Sequence, residues 1–153
     1  MITAGKDGFY ISSRQEDMDL DFVYGYLTES YWAKGIPKET VKKSIEHSLC
    51  FGVFSPEGQV GFARMITDRA TYAYLADVFI DEKFRGKGLA RWLMEIIMAH
   101  PELQGLRQIL LATRDAHGLY AKVGFQPLSN TERWMRIANQ DVYTKNTATP
   151  VQP

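Results

Sequence analysis

A chain of 153 residues, 45% of them hydrophobic, is long enough for one domain with a buried core. Its 18 basic and 18 acidic residues cancel, which excludes a global field that would draw nucleic acid or an anionic membrane surface. No apolar run reaches membrane-spanning length, and the first residues lack a charged stretch followed by an apolar one, so a soluble, cytoplasmic protein is expected. Cys50 is the only cysteine, so an internal disulfide is impossible; its apolar setting suits a small hydrophobe. His47, His100 and His117 are scattered without ligand spacing, and no metal site is expected.

Along the chain, Phe9 to Ser12 reads as a short strand. Leu20, Val23, Leu27 and Tyr31 recur at helical spacing and predict a helix through about Ser30. Pro37 opens a second helix with Val41, Ile45 and Leu49 stacked on one face. Phe51 to Phe54 and Val60 to Thr67 predict a hairpin, since Ser55-Pro56-Glu57-Gly58 suits a tight turn. A strand over Tyr72 to Asp81 precedes a helix from Leu89 to His100, whose apolar face carries Leu89, Leu93, Ile96, Ile97 and His100. Pro101 stops that helix. The apolar run Arg107 to Thr113 then suits a strand parallel to the previous one, completing a right-handed βαβ unit. Asp115 is placed to cap a short helix ending at Gly124. Phe125 to Leu128 and Glu132 to Ile137 predict two last strands. The expected domain covers residues 1–138, and residues 139–153 read as a polar, flexible tail.

Between the strand Tyr72 to Asp81 and the following helix lies Arg85-Gly86-Lys87-Gly88-Leu89-Ala90. A glycine-rich turn at a helix N-terminus offers unpaired N–H groups at the positive end of a dipole. Arg85, Lys87 and Arg91 add cationic charge. The spacing fits neither a P-loop nor a dinucleotide fingerprint, and a pyrophosphate cradle remains against a plain glycine turn. Downstream stands Leu119-Tyr120-Ala121-Lys122-Val123-Gly124-Phe125. With Val78-Phe79-Ile80 upstream of the turn, these segments resemble the GCN5-related N-acetyltransferase (GNAT) family, most strongly from Tyr72 to Phe125.

The resemblance implies an α/β, single-domain GNAT fold: a mixed central sheet with splayed parallel strands, flanked by helices. It implies acetyl-CoA as co-substrate and no metal. Val78, Phe79 and Ile80 would offer backbone groups to the pantetheine arm, and Arg85 to Ala90 would hold the pyrophosphate. Tyr120 would be the general acid for the departing thiolate, against a packing role. Asp77 would be the base for the amine or a carboxylate bound into a structural network, and the sequence leaves these two equal. Asp77 shares the parity of Leu75 and Phe79, so only a local bulge would turn it elsewhere.

Relatives often carry Asn near Asp115, and an ionised Asp lacks that donor, which favours the cap. His117 reads as surface. Tyr31 and Trp32 are candidates for the acceptor wall, whereas Tyr24, Tyr26, Trp92 and Trp134 are assigned to packing. The expected activity is direct acetyl transfer to a primary amine, on a small molecule in preference to a protein. A non-catalytic acyl-CoA-binding module and another acyl donor are the alternatives. No nucleic-acid or membrane partner is expected, and a homodimer is compatible with the sequence.

Overall fold

The computed structural model describes residues 2–143. Its strands are β1 (Ile2–Lys6), β2 (Phe9–Ser12), β3 (Leu49–Ser55), β4 (Gly58–Thr67), β5 (Tyr72–Ile80) and β6 (Gln108–Leu110). Its α-helices are α1 (Leu20–Leu27), α2 (Lys38–Glu46), α3 (Leu89–Met98) and α4 (His117–Ala121). The strands form one sheet in chain order, antiparallel throughout except for the parallel pair β5–β6. The predicted order of elements is present from β2 to α4.

Local chemistry accounts for most of these boundaries. The side chain of Asp19 accepts from the Phe22 N–H and starts α1. Pro37, which has no N–H to lose, stands at the entry to α2. In the β3–β4 turn Ser55 Oγ accepts from the Glu57 N–H, and Gly58 takes a φ of +143°. Strand β1 went unread, although Asp7-Gly8 between Lys6 and Phe9 marks a hairpin. Both residues have positive φ (53° and 87°), as a two-residue turn of that hand requires.

Two apolar layers cover the sheet. On one face α3 buries Leu89, Trp92, Leu93, Met94 and Ile97 against Phe51, Val53, Met65 and Leu75. Each such side chain contributes about 1.5–3 kcal/mol on burial. His100 completes that face; its Nδ1 accepts from the Glu102 N–H, and burial lowers its pKa. On the other face α1 and α2 pack Val23, Leu27, Val41 and Ile45 over Cys50, Phe62 and Phe79. Cys50 is buried and its thiol is pushed up to about 12, in keeping with a hydrophobic role.

Three expectations near the C-terminal end are corrected. The strand expected over 107–113 pairs only from Gln108 to Leu110, because beyond that point β6 diverges from β5. Asp115 does not cap α4. Ala116 occupies the cap position, and its N–H is taken by Thr113 Oγ1, while Asp115 makes an exposed pair with Arg114 at 3.7 Å. The strands expected over 125–128 and 132–137 do not form. Trp134, assigned to packing, is 43% exposed, and Met135 and Ile137 stand almost wholly in solvent, so nothing among the described residues supplies the neighbour a strand needs. The expected tail lies outside the described residues from position 144 onward.

Candidate active site

The site is built where β5 leaves β6. Pairing of β5 with β4 gives Phe62 opposite Phe79 and Arg64 opposite Ala76, so β5 carries one extra residue across this interval. The extra residue is absorbed at Asp77, which has a φ of +57°. A non-glycine residue pays roughly 1–2 kcal/mol for that conformation, and its neighbours must hold it there. The bulge breaks the alternation that would have placed Asp77 beside Leu75. Leu75 packs on the α3 face, whereas Asp77 turns toward Arg64 and the loop after α1.

There the Asp77 carboxylate is fully engaged. Oδ2 accepts from Arg64 Nε at 2.9 Å, and Oδ1 accepts from Trp32 Nε1 at 2.8 Å. The two charged side chains are 15% and 10% exposed, so the ion pair is largely dry. Arg64 Nη1 also donates to Ser48 Oγ at 3.1 Å. This network ties the α2–β3 turn, β4, β5 and the α1–α2 loop together, and it fixes the indole of Trp32. Arg64 escaped the sequence reading, where its only signal was a charge inside an otherwise apolar strand.

The turn after β5 is held by aromatic and guanidinium contacts. Tyr26 stacks on Phe79 at 3.8 Å with the rings parallel, and its hydroxyl accepts from Arg85 Nη2 at 2.8 Å. Arg85 Nε donates to the Ile80 carbonyl. Arg85 therefore braces the end of β5, and its charge is partly committed. Gly86 and Gly88 have φ values of +80° and +77°, and a Cβ at either would meet no atom within 4 Å. Both backbones thus face open space at the start of α3, whose first N–H groups have no side-chain cap.

Two clefts meet beside this turn. One, of about 500 Å³, runs along Val78, Phe79 and Ile80 to Gly86, Gly88, Leu89, Ala90 and Arg91. Lys87 lies instead in a separate depression with Lys6 and Phe9. The other cleft, of about 600 Å³, is bounded by Tyr31, Trp32, Arg64, Tyr74, Asp77 and Arg114. The Arg114 guanidinium lies 3.9 Å over the Tyr31 ring. Trp32, Val78, Ala116 and Tyr120 line both clefts. Tyr120 is 8% exposed, and burial first, then Tyr31, raises its phenol above the ordinary value. His117 is exposed, as read from the sequence.

The family described as Acetyltransferase (GNAT) domain matches residues 46–127. A Gibberella zeae protein that carries an acetyltransferase name is 32% identical over 137 residues, covering 74% of this chain and 76% of its own. The chain belongs to the GNAT family. It has the family's fold and is an acyltransferase. A crystal structure of a GNAT-family protein from Xanthomonas campestris superposes with a TM-score of 0.88 at 44% identity, covering 92% of this chain and all of that one. A structure from Clostridium acetobutylicum that contains acetyl-CoA shares the fold, with a TM-score of 0.62 at 12% identity, covering 90% and 96% of the two chains. The GNAT match spans β3 to α4, and so takes in the bulge, the glycine turn and Tyr120.

Proposed function

We propose that the protein moves an acetyl group from acetyl-CoA to a primary amine on a small molecule, by direct attack of that amine. The observation that carries this reading is the meeting of the two clefts at Tyr120. A donor in one and an acceptor in the other would approach each other beside its phenol.

The residues present fit the co-substrate. The open backbone at Gly86 and Gly88 and the first N–H groups of α3 suit a pyrophosphate. Beyond Tyr74 the backbone of β5 has no β6 partner among the described residues, so Val78 and Phe79, and the Ile80 N–H, have that side of the strand to offer amides, while the Ile80 carbonyl is shared with Arg85. Bound there, acetyl-CoA supplies the thioester. Burial first, then the nearby Tyr31, raises the Tyr120 phenol above its ordinary value, which favours its protonated form. In that form it serves the departing sulfur as a hydrogen-bond donor. Direct attack is favoured because the lone thiol, Cys50, is buried outside both clefts and is held in its unreactive protonated form.

The acceptor cleft combines the aromatic walls of Tyr31, Trp32 and Tyr74 with Arg114 and Asp115. Its size and mixed polarity suit a small amine with an apolar or aromatic group. The test is release of CoA thiol from acetyl-CoA in the presence of pooled small amines. Amine-dependent release is expected, whereas binding of acetyl-CoA without release across the pools overturns the acceptor assignment.

A separate result is expected at the turn. Gly88→Val adds about 1–2 kcal/mol of backbone strain, too little to unfold an ordinary domain. It also sets a branched carbon in the space open to the anion. Acetyl-CoA affinity measured by calorimetry should fall by about tenfold or more. Unchanged affinity in a folded variant would remove the pyrophosphate from this turn.

A further inference from the structure

The loop between β6 and α4 carries two charges that the proposed transfer does not use. Thr113 Oγ1 takes the Ala116 N–H, so Asp115 has no helix to cap, and it lines the acceptor cleft together with Arg114. The loop begins where β6 has already parted from β5.

Among the described residues the charged side chains lining that cleft are Arg64, Asp77, Arg114 and Asp115. They form two unlike pairs. Arg64 and Asp77 meet at 2.9 Å in a nearly dry setting, and Trp32 takes the other oxygen of Asp77. Arg114 and Asp115 are 3.7 Å apart and 65% and 70% exposed, and a pair in that setting holds little. What steadies Arg114 is the Tyr31 ring, 3.9 Å from the centre of its guanidinium. A guanidinium over a ring commits its face and keeps its edge, where the N–H donors lie. Asp115 approaches through Nη2 at more than hydrogen-bonding distance, so those donors have no hydrogen-bond partner among the described residues.

The cleft therefore treats the two signs of charge differently. A cationic group on the acceptor finds the Tyr31 ring already covered by Arg114 and both oxygens of Asp77 engaged. An anionic group finds donors already held in place, which lowers the ordering cost of binding. One planar guanidinium matches the two oxygens of a carboxylate. A phosphate asks for further donors, and no lysine lines the cleft among the described residues. The anion position is also close to the reaction centre. Tyr31 is near enough to act on the Tyr120 phenol, and Ala116, just beyond Asp115, lines both clefts. Ile66, Leu75 and Leu111 add apolar lining for the rest of the molecule.

We infer that the acceptor is a small amino carboxylate with an apolar or aromatic group, and that Arg114, held on Tyr31, selects it by pairing with its carboxylate. The inference rests on the proposed transfer to a small amine and names the class of that amine. The free amine forms an N–C bond to the acetyl carbon and the thioester C–S bond breaks. The proton lost by nitrogen balances the one gained by sulfur, and the carboxylate is unchanged.

The test follows CoA thiol release with apolar and aromatic α- and β-amino acids, their carboxamides and their aminophosphonate analogues. Each rate is referred to the free amine, because the carboxamides are weaker bases. Wild-type kcat/KM should favour each acid over its carboxamide by about tenfold or more. Arg114→Ala should bring that ratio to about one, and Arg114→Lys, which keeps the charge without the planar fork, should leave it between. Neither variant should unfold the chain, since the side chain is 65% exposed. Equal use of acids and carboxamides by the wild type, a preference for the phosphonates, or a ratio that survives Arg114→Ala overturns the inference. Release with carboxamides alone overturns it and leaves the proposed transfer standing, whereas no release with any amine overturns both.

Discussion

Tyr120→Phe is expected to bind acetyl-CoA with wild-type affinity and to transfer the acetyl group about 10²–10⁴-fold more slowly. The ring is buried against the α3-side core and meets Phe125 edge-on, and phenylalanine keeps both contacts. The substitution therefore leaves no cavity, and the melting temperature should change little. The loss falls on the hydroxyl alone, and the residue that carries it lines both clefts. A factor of 10²–10⁴ corresponds to roughly 3–5 kcal/mol of barrier, the range for a well-placed proton donor. Single-turnover measurement isolates the chemical step from product release. A rate within about twofold of wild type would return Tyr120 to a packing role.

Much of this site is local in sequence, and that part was legible. The order of apolar strand, glycine turn and amphipathic helix carries its own physical signature, because the proposed anion site rests on the backbone of one short segment. Tyr120 was legible for a similar reason, since its helix and the Gly124 turn are contiguous with it. Arg64 was not, because its role depends on Asp77, thirteen residues away on the neighbouring strand, and on register that no periodicity supplies. The bulge was legible only as a necessity, since Asp77 on the α3 face would have been a charge buried in an apolar layer. The two missing strands failed for another reason. Phe125 to Leu128 and Glu132 to Ile137 have suitable residues, but a strand needs a partner as well as a pattern. Strand β1 shows the converse, as its Asp7-Gly8 turn was sufficient signal for a hairpin that the reading passed over.

Asp77→Asn should lower the melting temperature and reduce turnover by a similar factor at every pH, because both carboxylate oxygens are already engaged, by Arg64 and by Trp32. Asn offers one accepting oxygen where two donors now converge, from Arg64 Nε and Trp32 Nε1. Its NH2 group would face one of them donor to donor. The Arg64 charge would also lose its counterion in a nearly dry setting, and breaking a buried pair from one side costs about 3–5 kcal/mol. In a domain of this size that amounts to roughly 6–20 °C of melting temperature. Removing both partners is a different matter. Arg64→Met combined with Asp77→Leu leaves no orphaned charge, and it should recover much of the lost stability. The pH profile separates positioning from base catalysis. Wild-type kcat/KM should rise with pH as the acceptor amine loses its proton, and the Asp77→Asn profile should run parallel below it. If Asp77 instead takes that proton, the deficit will be deepest at low pH and will shrink as free amine accumulates. Such a shrinking deficit in a variant of wild-type stability would make Asp77 the base and reduce its bonds to Arg64 and Trp32 to a means of aiming it.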